Sequence, residues 1–308
     1  MNRHPRGKWG GNTLAATQRP LPGDSGRRRP PASIAPADHD PVERTPMAIA
    51  TLRCYAELND FLPPARRQRD WPLTFAAPAP VRHLVELAGV PHTEVELVLL
   101  NGTSVDLEAA VFDGDRIAVY PMFEAFDIRP ALRLRRQPLR RPRFIADAHL
   151  GALARRLRML GFDTLWFNDI GDAELARLAA SEQRILLSRD RRLLMRQAVT
   201  HGCFIRAGPT WRQLADLVER LQLCAEIAPF RRCTVCNATV EPVSPAAVHG
   251  QVPPGVRARE REFWCCAGCG RVYWKGSHWR AMQQRIAGLC PAQALPPCGQ
   301  DRDRPANG

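Results

Sequence analysis

The sequence predicts an α/β chain with three folded parts: a small α+β domain, a parallel α/β domain and a short cysteine-rich module. Three observations lead to this prediction. Strand and helix patterns are mixed over residues 48–120, strands alternate with ten-residue helices over residues 144–207, and two C-x-x-C pairs follow. At about 100 to 200 residues per domain, a chain of 308 residues has room for this organisation.

The charge of the chain favours a polyanionic partner. Lysine and arginine number 44 against 31 acidic residues, so the formal net charge is +13, which suits nucleic acid. Lys8 and Lys275 are the only lysines, so almost all of the basic residues are arginine. A GC-rich genome would explain this preference for arginine equally well, so only the net charge indicates the partner. No apolar run approaches the roughly 20 residues of a membrane span. We therefore expect no membrane partner and a cytoplasmic location.

Residues 1–46 are predicted to be a disordered leader. They contain eight prolines and three consecutive arginines but no apolar periodicity, so they cannot bury enough surface to offset the entropy of ordering. The segment lacks the apolar stretch of a secretory signal, and its four acidic residues argue against a transit peptide. Met47 opens the first patterned segment, so translation starting there is an alternative.

Residues 47–124 are predicted to form a small β-grasp domain. Strands are expected at 50–55, 94–100 and 116–120, with a helix at 81–88. The next segment, residues 125–143, is predicted to be an exposed Arg-rich linker. It is either a plain solvated connector or a cationic strap that makes salt-sensitive phosphate contacts.

Residues 144–226 are predicted to form a parallel sheet covered by helices. The expected strands are 144–146, 164–167, 184–188 and 203–206, and the expected helices are 150–160, 172–181, 191–199 and 213–223.

Aspartates follow three of these strands. Asp147, Asp172 and Asp190 therefore fall at the carboxyl edge of a parallel sheet, where functional groups collect. Crowded carboxylates repel one another unless a cation neutralises them, and oxygen ligands suit Mg²⁺ or Mn²⁺. Each aspartate could instead be a helix N-cap, but their repetition at equivalent positions favours a metal site.

The two C-x-x-C pairs predict a structural zinc site in residues 227–289. Cys233 and Cys236 form one pair and Cys266 and Cys269 the other, about thirty residues apart, which fits tetrahedral zinc held by four thiolates. Cys265 would leave a gap of three residues and is the spare. Cys54, Cys203 and Cys224 are predicted to be buried thiols. The remaining residues, 290–308, are predicted to be a disordered tail.

A family resemblance adds to these predictions. The segment F144-IADAHLGALARRLRMLGF-D163, the segment D172-AEL and the segment R184-ILLSR-D190 resemble the PIN-like RNase family named for the C-terminal domain of the Mut-seven exonuclease. Three shorter segments, L58-NDFL-P63, G89-VPHT-E94 and N101-GTS-V105, resemble the ubiquitin-like β-grasp domain that often precedes it. The resemblance covers roughly residues 48–287.

The resemblance implies metal-dependent cleavage of single-stranded RNA. Asp147, Asp172 and Asp190 match the acidic positions of the motif, and Asp169 and Glu174 are weaker candidates for a fourth acid. The implied cofactors are catalytic Mg²⁺ or Mn²⁺ and structural Zn²⁺. Ser188 stands where the family often has threonine, which keeps the hydroxyl.

Basic residues near these motifs are candidates for RNA contacts, although a solvated surface is the competing interpretation for each. The candidates are Arg155, Arg158, Arg189, Lys275, His278 and Arg280.

The leading hypothesis is a divalent-metal-dependent ribonuclease. The second hypothesis is a noncatalytic RNA-binding adaptor that uses the Arg-rich linker and the cysteine-rich module at residues 227–289, which is predicted to be a zinc ribbon. A module that binds a protein partner through the β-grasp domain is the third.

Overall fold

The computed structural model describes residues 46–121 and 142–290 of the chain. The predicted leader, almost all of the Arg-rich linker and the C-terminal tail lie outside the described residues.

The first domain is a five-stranded mixed sheet with one α-helix, which confirms the predicted α+β class. The strand order is β2-β1-β7-β4-β5, in which β1 and β7 are parallel and the other pairs are antiparallel. Two further short strands, β3 and β6, pair with each other. The bounds are β1 Met47–Cys54, β2 Trp71–Ala76, β3 Ala79–Pro80, α1 Val81–Leu87, β4 Leu97–Leu100, β5 Thr103–Val105, β6 Ala110–Val111 and β7 Arg116–Tyr120.

The alternation of β1 places one face of this sheet on the core. Ala48, Ala50, Leu52 and Cys54 are buried, while the residues between them are exposed or partly exposed. Strand β2 has the same alternation but was not expected from the sequence.

The second domain is a four-stranded sheet in which all neighbours are parallel, which confirms the predicted fold class. The strand order is β11-β10-β8-β9. The bounds are β8 Phe144–Ala146, α2 Gly151–Met159, β9 Thr164–Trp166, α3 Asp172–Ser181, β10 Ile185–Ser188, α4 Arg191–Leu194, β11 Gly202–Phe204 and α5 Thr210–Arg220.

Helices cover both faces of this sheet. The residues Phe144 and Ala146 pack with α2 and α5 in one cluster, whereas Ile145 packs with α3 and α4 in another. Burial on both faces explains why the strands are continuously apolar.

One predicted helix is shorter than expected: α4 ends at Leu194 and does not reach Val199. The Val199 side chain is buried in the core, and its carbonyl accepts a hydrogen bond from His92 Nε2 at 2.9 Å. Val199 is thus held by a contact with the first domain and does not continue the helix.

The third part is an antiparallel three-stranded ribbon in the order β12-β13-β14, followed by a long helix. The bounds are β12 Val240–Val243, α6 Pro254–Arg257, β13 Phe263–Cys266, β14 Val272–Trp274 and α7 Ser277–Ala287. Helix α7 packs back on the second domain, because Met282 and Ile286 are buried in the same cluster as α2 and α5.

A disulfide joins Cys224, just after α5, to Cys290, just after α7. The prediction of a free buried thiol at Cys224 was therefore wrong. The sequence separation of 66 residues gave no spacing signal, and only the packing of α7 brings the two Cα atoms to 5.8 Å.

Within the described residues, no helix is both long and apolar enough to cross a bilayer. The cytoplasmic location stays a prediction, and a structural disulfide is uncommon in that compartment.

A buried carboxylate attaches the first domain to the edge strand β11. Glu94 Oε1 accepts the backbone N–H of Phe204, and Glu94 Oε2 pairs with Arg220 of α5. Arg206 pairs with Asp60 at 2.9 Å at the exposed margin of the same interface. Because the Glu94 side chain is only 2% exposed, it is largely removed from solvent screening.

We expect Glu94→Ala to lower the free energy of unfolding by about 3–5 kcal/mol, because it leaves the Arg220 charge without its carboxylate and the Phe204 N–H without its acceptor. Urea denaturation followed by circular dichroism would measure this loss. The control is Glu108→Ala, which removes an exposed pair with Arg82 and should cost less than about 1 kcal/mol. Equal losses in the two variants would contradict the role given to Glu94.

Candidate active site and cysteine metal centre

The sheet of the second domain has a topological switch point between β8 and β10. The chain passes from β8 to β9 on one side and then crosses to β10 on the other side. In open parallel sheets, the crevice at such a point lies outside the carboxyl ends of the two strands. Asp147 follows β8 directly, and Asp190 follows the end of β10 by two residues. Both carboxylates therefore lie at this crevice.

A hydroxyl group connects the two aspartates. Ser188 Oγ donates to Asp147 Oδ2 at 2.7 Å and accepts the backbone N–H of Asp190 at 2.9 Å. Asp190 Oδ1 accepts the backbone N–H of Arg192 at 2.8 Å, which makes Asp190 the N-cap of α4. Within the described residues, Asp147 Oδ1 and Asp190 Oδ2 have no hydrogen-bond partner. One oxygen of each carboxylate is thus available to a ligand.

The other acidic candidates are not part of this group. Asp172 is the first residue of α3, and its Oδ2 lies 3.8 Å from Arg196 Nη2. Asp169 is exposed in the loop before α3. Glu174 is exposed and holds Arg177 through both carboxylate oxygens, which lowers the pKa of Glu174. In the part of the chain that the structure describes, no group of three acidic side chains is placed to hold a metal ion.

The four predicted cysteine ligands converge. The Sγ atoms of Cys233, Cys236, Cys266 and Cys269 all lie within 4.8 Å of one another. Two of the sulfur–sulfur distances are 3.3 Å and 3.6 Å. Four sulfurs bound to one tetrahedral zinc are about 3.8 Å apart, so the cluster fits such a metal ion. The Sγ of Cys265 lies against the carbonyl oxygens of Cys266 and Gly270 and is not part of the cluster.

The electrostatics of the cluster also suit a cation. Burial raises the pKa of Cys233, but the Tyr273 hydroxyl and backbone N–H groups outweigh it and lower that pKa to about 6. At Cys236 the Ala238 N–H lowers the pKa, yet burial and the neighbouring sulfurs prevail and raise it to about 12. The Cys233 thiolate therefore forms readily, whereas the Cys236 thiolate needs a positive charge nearby.

A buried arginine joins this centre to the second domain. Arg158 Nε donates to the carbonyl of Thr164 at 2.8 Å, and its Nη1 donates to the carbonyl of Val235, inside the first cysteine pair, at 2.6 Å. Arg158 is 3% exposed, and burial lowers its pKa. The expected RNA contact at Arg158 is therefore wrong, because a phosphate group cannot reach this guanidinium.

An asparagine next to the cysteines completes the junction. Asn237 Oδ1 accepts the backbone N–H of Thr164 on the edge strand β9, and Asn237 Nδ2 donates to Asp163 at 2.7 Å. Asp163 also pairs with the buried Arg184; burial raises the Asp163 pKa, but these partners outweigh it and lower it. Sequence reasoning missed this network. The sequence offered one signal for it, an asparagine directly after a C-x-x-C pair. The backbone φ of Asn237 is +72°, a left-handed conformation that asparagine adopts more readily than most residues.

The other RNA-contact candidates lie at the surface. Arg155, Arg189, His278 and Arg280 are exposed. Lys275 is partly exposed, pairs with Glu262 and lies over the rings of Trp264 and Trp279.

Comparison with known families agrees with the fold and with the order of the domains. The family model described as the Mut7-C RNAse domain matches residues 142–286, and the model described as Mut7-C ubiquitin matches residues 47–127. The chain thus contains a Mut7-C ubiquitin-like domain followed by a Mut7-C RNase domain. No curated protein matches it. The Mut7-C match covers both the strand-end aspartates and the cysteine cluster, and it indicates a nuclease-like role.

We expect Cys236→Ser to abolish stoichiometric zinc binding, because a serine hydroxyl does not replace a thiolate ligand. Elemental analysis of the purified protein by mass spectrometry would measure the zinc content. Cys265→Ser is the matched control and should retain one zinc per chain. Loss of zinc from the Cys265 variant would contradict the assignment of the ligands.

Proposed function

We propose that this protein is a metal-dependent ribonuclease that hydrolyses phosphodiester bonds of single-stranded RNA at the carboxyl edge of the parallel sheet. The observation that carries the proposal is the hydrogen-bonded group of Asp147, Ser188 and Asp190 at the switch point of a Mut7-C RNase domain.

The donor set of this edge suits a hard cation. Asp147 and Asp190 each keep one oxygen available, and Asp172 would be the third ligand. Its ion pair with Arg196 is long and exposed, so the carboxylate can leave that arginine at little cost. Mg²⁺ or Mn²⁺ held there would supply an activated water and stabilise the leaving oxygen.

The remaining candidate residues support this proposal to different degrees, either as metal ligands or as phosphate contacts. Asp169 is exposed in the loop before α3, three residues before Asp172, and is the next candidate for a ligand. Glu174 is a weak one, since Arg177 occupies both of its oxygens. Arg155 and Arg189 lie at the surface near the edge, where each could contact a phosphate.

Ser188 acts as a positioning residue. Its side chain is fully buried, so the hydroxyl cannot exchange its partners for water. By donating to Asp147 Oδ2, it directs the other oxygen of that carboxylate toward the crevice. Zinc in the four-cysteine centre would have no open coordination position, so it would stabilise the fold and leave the hydrolysis to this edge.

We expect Asp147→Asn and Asp190→Asn to lower RNA cleavage at least about a hundredfold, because each removes a charge that would bind the metal ion. The assay incubates labelled single-stranded RNA with Mn²⁺ or Mg²⁺ and separates the products on a denaturing gel. The control, Glu219→Gln, removes an exposed carboxylate of α5 away from the crevice. Full cleavage by both aspartate variants would reject the proposal, and RNA binding without cleavage by the wild type would favour the adaptor hypothesis.

We expect Ser188→Ala to raise the Mn²⁺ concentration needed for half-maximal cleavage about 10- to 100-fold, because the residue that orients the ligand is lost. Ser188→Thr keeps the hydroxyl and should restore the wild-type metal dependence. A titration of cleavage rate against Mn²⁺ measures the effect. An equal shift in both variants would show that packing, and not the hydroxyl, is responsible.

A further inference from the structure

Two arginines from different parts of the chain meet over one tryptophan. The guanidinium carbons of Arg156 on α2 and Arg285 on α7 lie 4.7 Å and 5.3 Å from the ring centroid of Trp211, the second residue of α5. Arg156 also contacts the sulfur of Met282 on α7. The aromatic face therefore keeps both cationic groups at one place on the surface.

This cluster brings positive charges together. Within the described residues, neither Arg156 nor Arg285 has an ion pair with a carboxylate. Burial, together with the charges of Arg285 and the exposed Arg155, lowers the pKa of Arg156. Bringing such cations together costs free energy in the absence of an anion, and it is a common feature of phosphate-binding sites.

The topology places the first residues of two helices of this cluster at the edge of the sheet where the crevice lies. Helices α2 and α5 each follow a parallel strand, so both begin at the carboxyl edge that carries Asp147. Arg156 lies five residues after the first residue of α2, which is about 8 Å along the helix axis. Trp211 lies within the first turn of α5.

A further aromatic ring near the start of helix α7 also lies next to a cation. Trp279 lies six residues before Arg285 on this helix, packs against Phe230 with ring centroids 5.5 Å apart and has the Lys275 ammonium group over its ring. Aromatic rings alternate here with cations, a pattern that suits single-stranded nucleic acid.

We propose that Arg156 and Arg285, held over Trp211, form a binding site for the phosphodiester backbone of a single-stranded nucleic acid. The inference rests on the proposed function in one respect, since it makes this strand the substrate of the neighbouring crevice. The two planar guanidinium groups would donate to phosphate oxygens, while Trp211 keeps them in position.

The test is fluorescence anisotropy of a labelled oligouridylate with the zinc-loaded full chain, without added Mg²⁺ or Mn²⁺. Arg156→Gln and Arg285→Gln should each weaken binding about tenfold. In the double variant, the slope of log affinity against log salt concentration should fall in magnitude by about 1.4, since each phosphate contact to a single strand contributes about 0.7. An oligothymidylate should show the same losses, because the site contacts the backbone and not the 2′-hydroxyl.

The matched control is Arg66→Gln, because Arg66 lies over the Trp71 ring at 4.3 Å in the first domain and forms no such pair of arginines. It should change the affinity less than twofold. Circular dichroism and zinc content should be unchanged in all variants. Equal affinity losses in the Arg66 and Arg156 variants would overturn the site, and so would losses confined to RNA.

The two proposals can fail separately. If the wild type cleaves RNA with Mn²⁺ but the arginine variants bind normally, this site is wrong and the ribonuclease proposal stands. If the variants lose binding but the wild type does not cleave, the site stands and the ribonuclease proposal is wrong.

Discussion

The described architecture depends on how the two edges of a four-stranded parallel sheet are satisfied. Edge strands expose unpaired backbone groups, which are costly to bury and promote aggregation. Here, a side chain from a neighbouring domain accepts an outward N–H at each edge. Glu94 of the first domain accepts from Phe204 on β11, and Asn237 of the cysteine module accepts from Thr164 on β9. The accessory domains therefore complete the sheet as well as adjoining it.

The same junctions connect the cysteine centre to the catalytic candidate. Arg158, near the end of α2, holds both the Thr164 carbonyl of β9 and the Val235 carbonyl inside a cysteine pair. The chain leading into α2 starts at Asp147. A metal ion in the cysteine cluster would thus stabilise a module that is hydrogen-bonded to the sheet carrying the aspartates. This explains how a closed metal site could influence activity without taking part in the chemistry.

The sequence pattern predicted the elements whose signals are local. Strand β8, helix α3 and strand β7 have the predicted bounds. The four cysteines selected from spacing do converge, because a C-x-x-C turn directs both sulfurs at one point. The helix after β10 was predicted too long, because the contact between His92 and Val199 joins residues 107 positions apart. The disulfide between Cys224 and Cys290 was missed for the same reason, since only the return of α7 to the second domain brings them together.

For the candidate site, the sequence by itself determined the residue types and their order: aspartates after the strands, a hydroxyl two residues before Asp190 and two cysteine pairs. The tertiary structure decided which of them meet. The strand order placed Asp147 beside Ser188 and Asp190, burial removed Arg158 from the surface, and helix packing brought Arg156 and Arg285 over Trp211. The physical reason is that periodicity and spacing determine which face of a single helix or strand each side chain occupies. Which charges meet depends on packing between elements far apart in the chain.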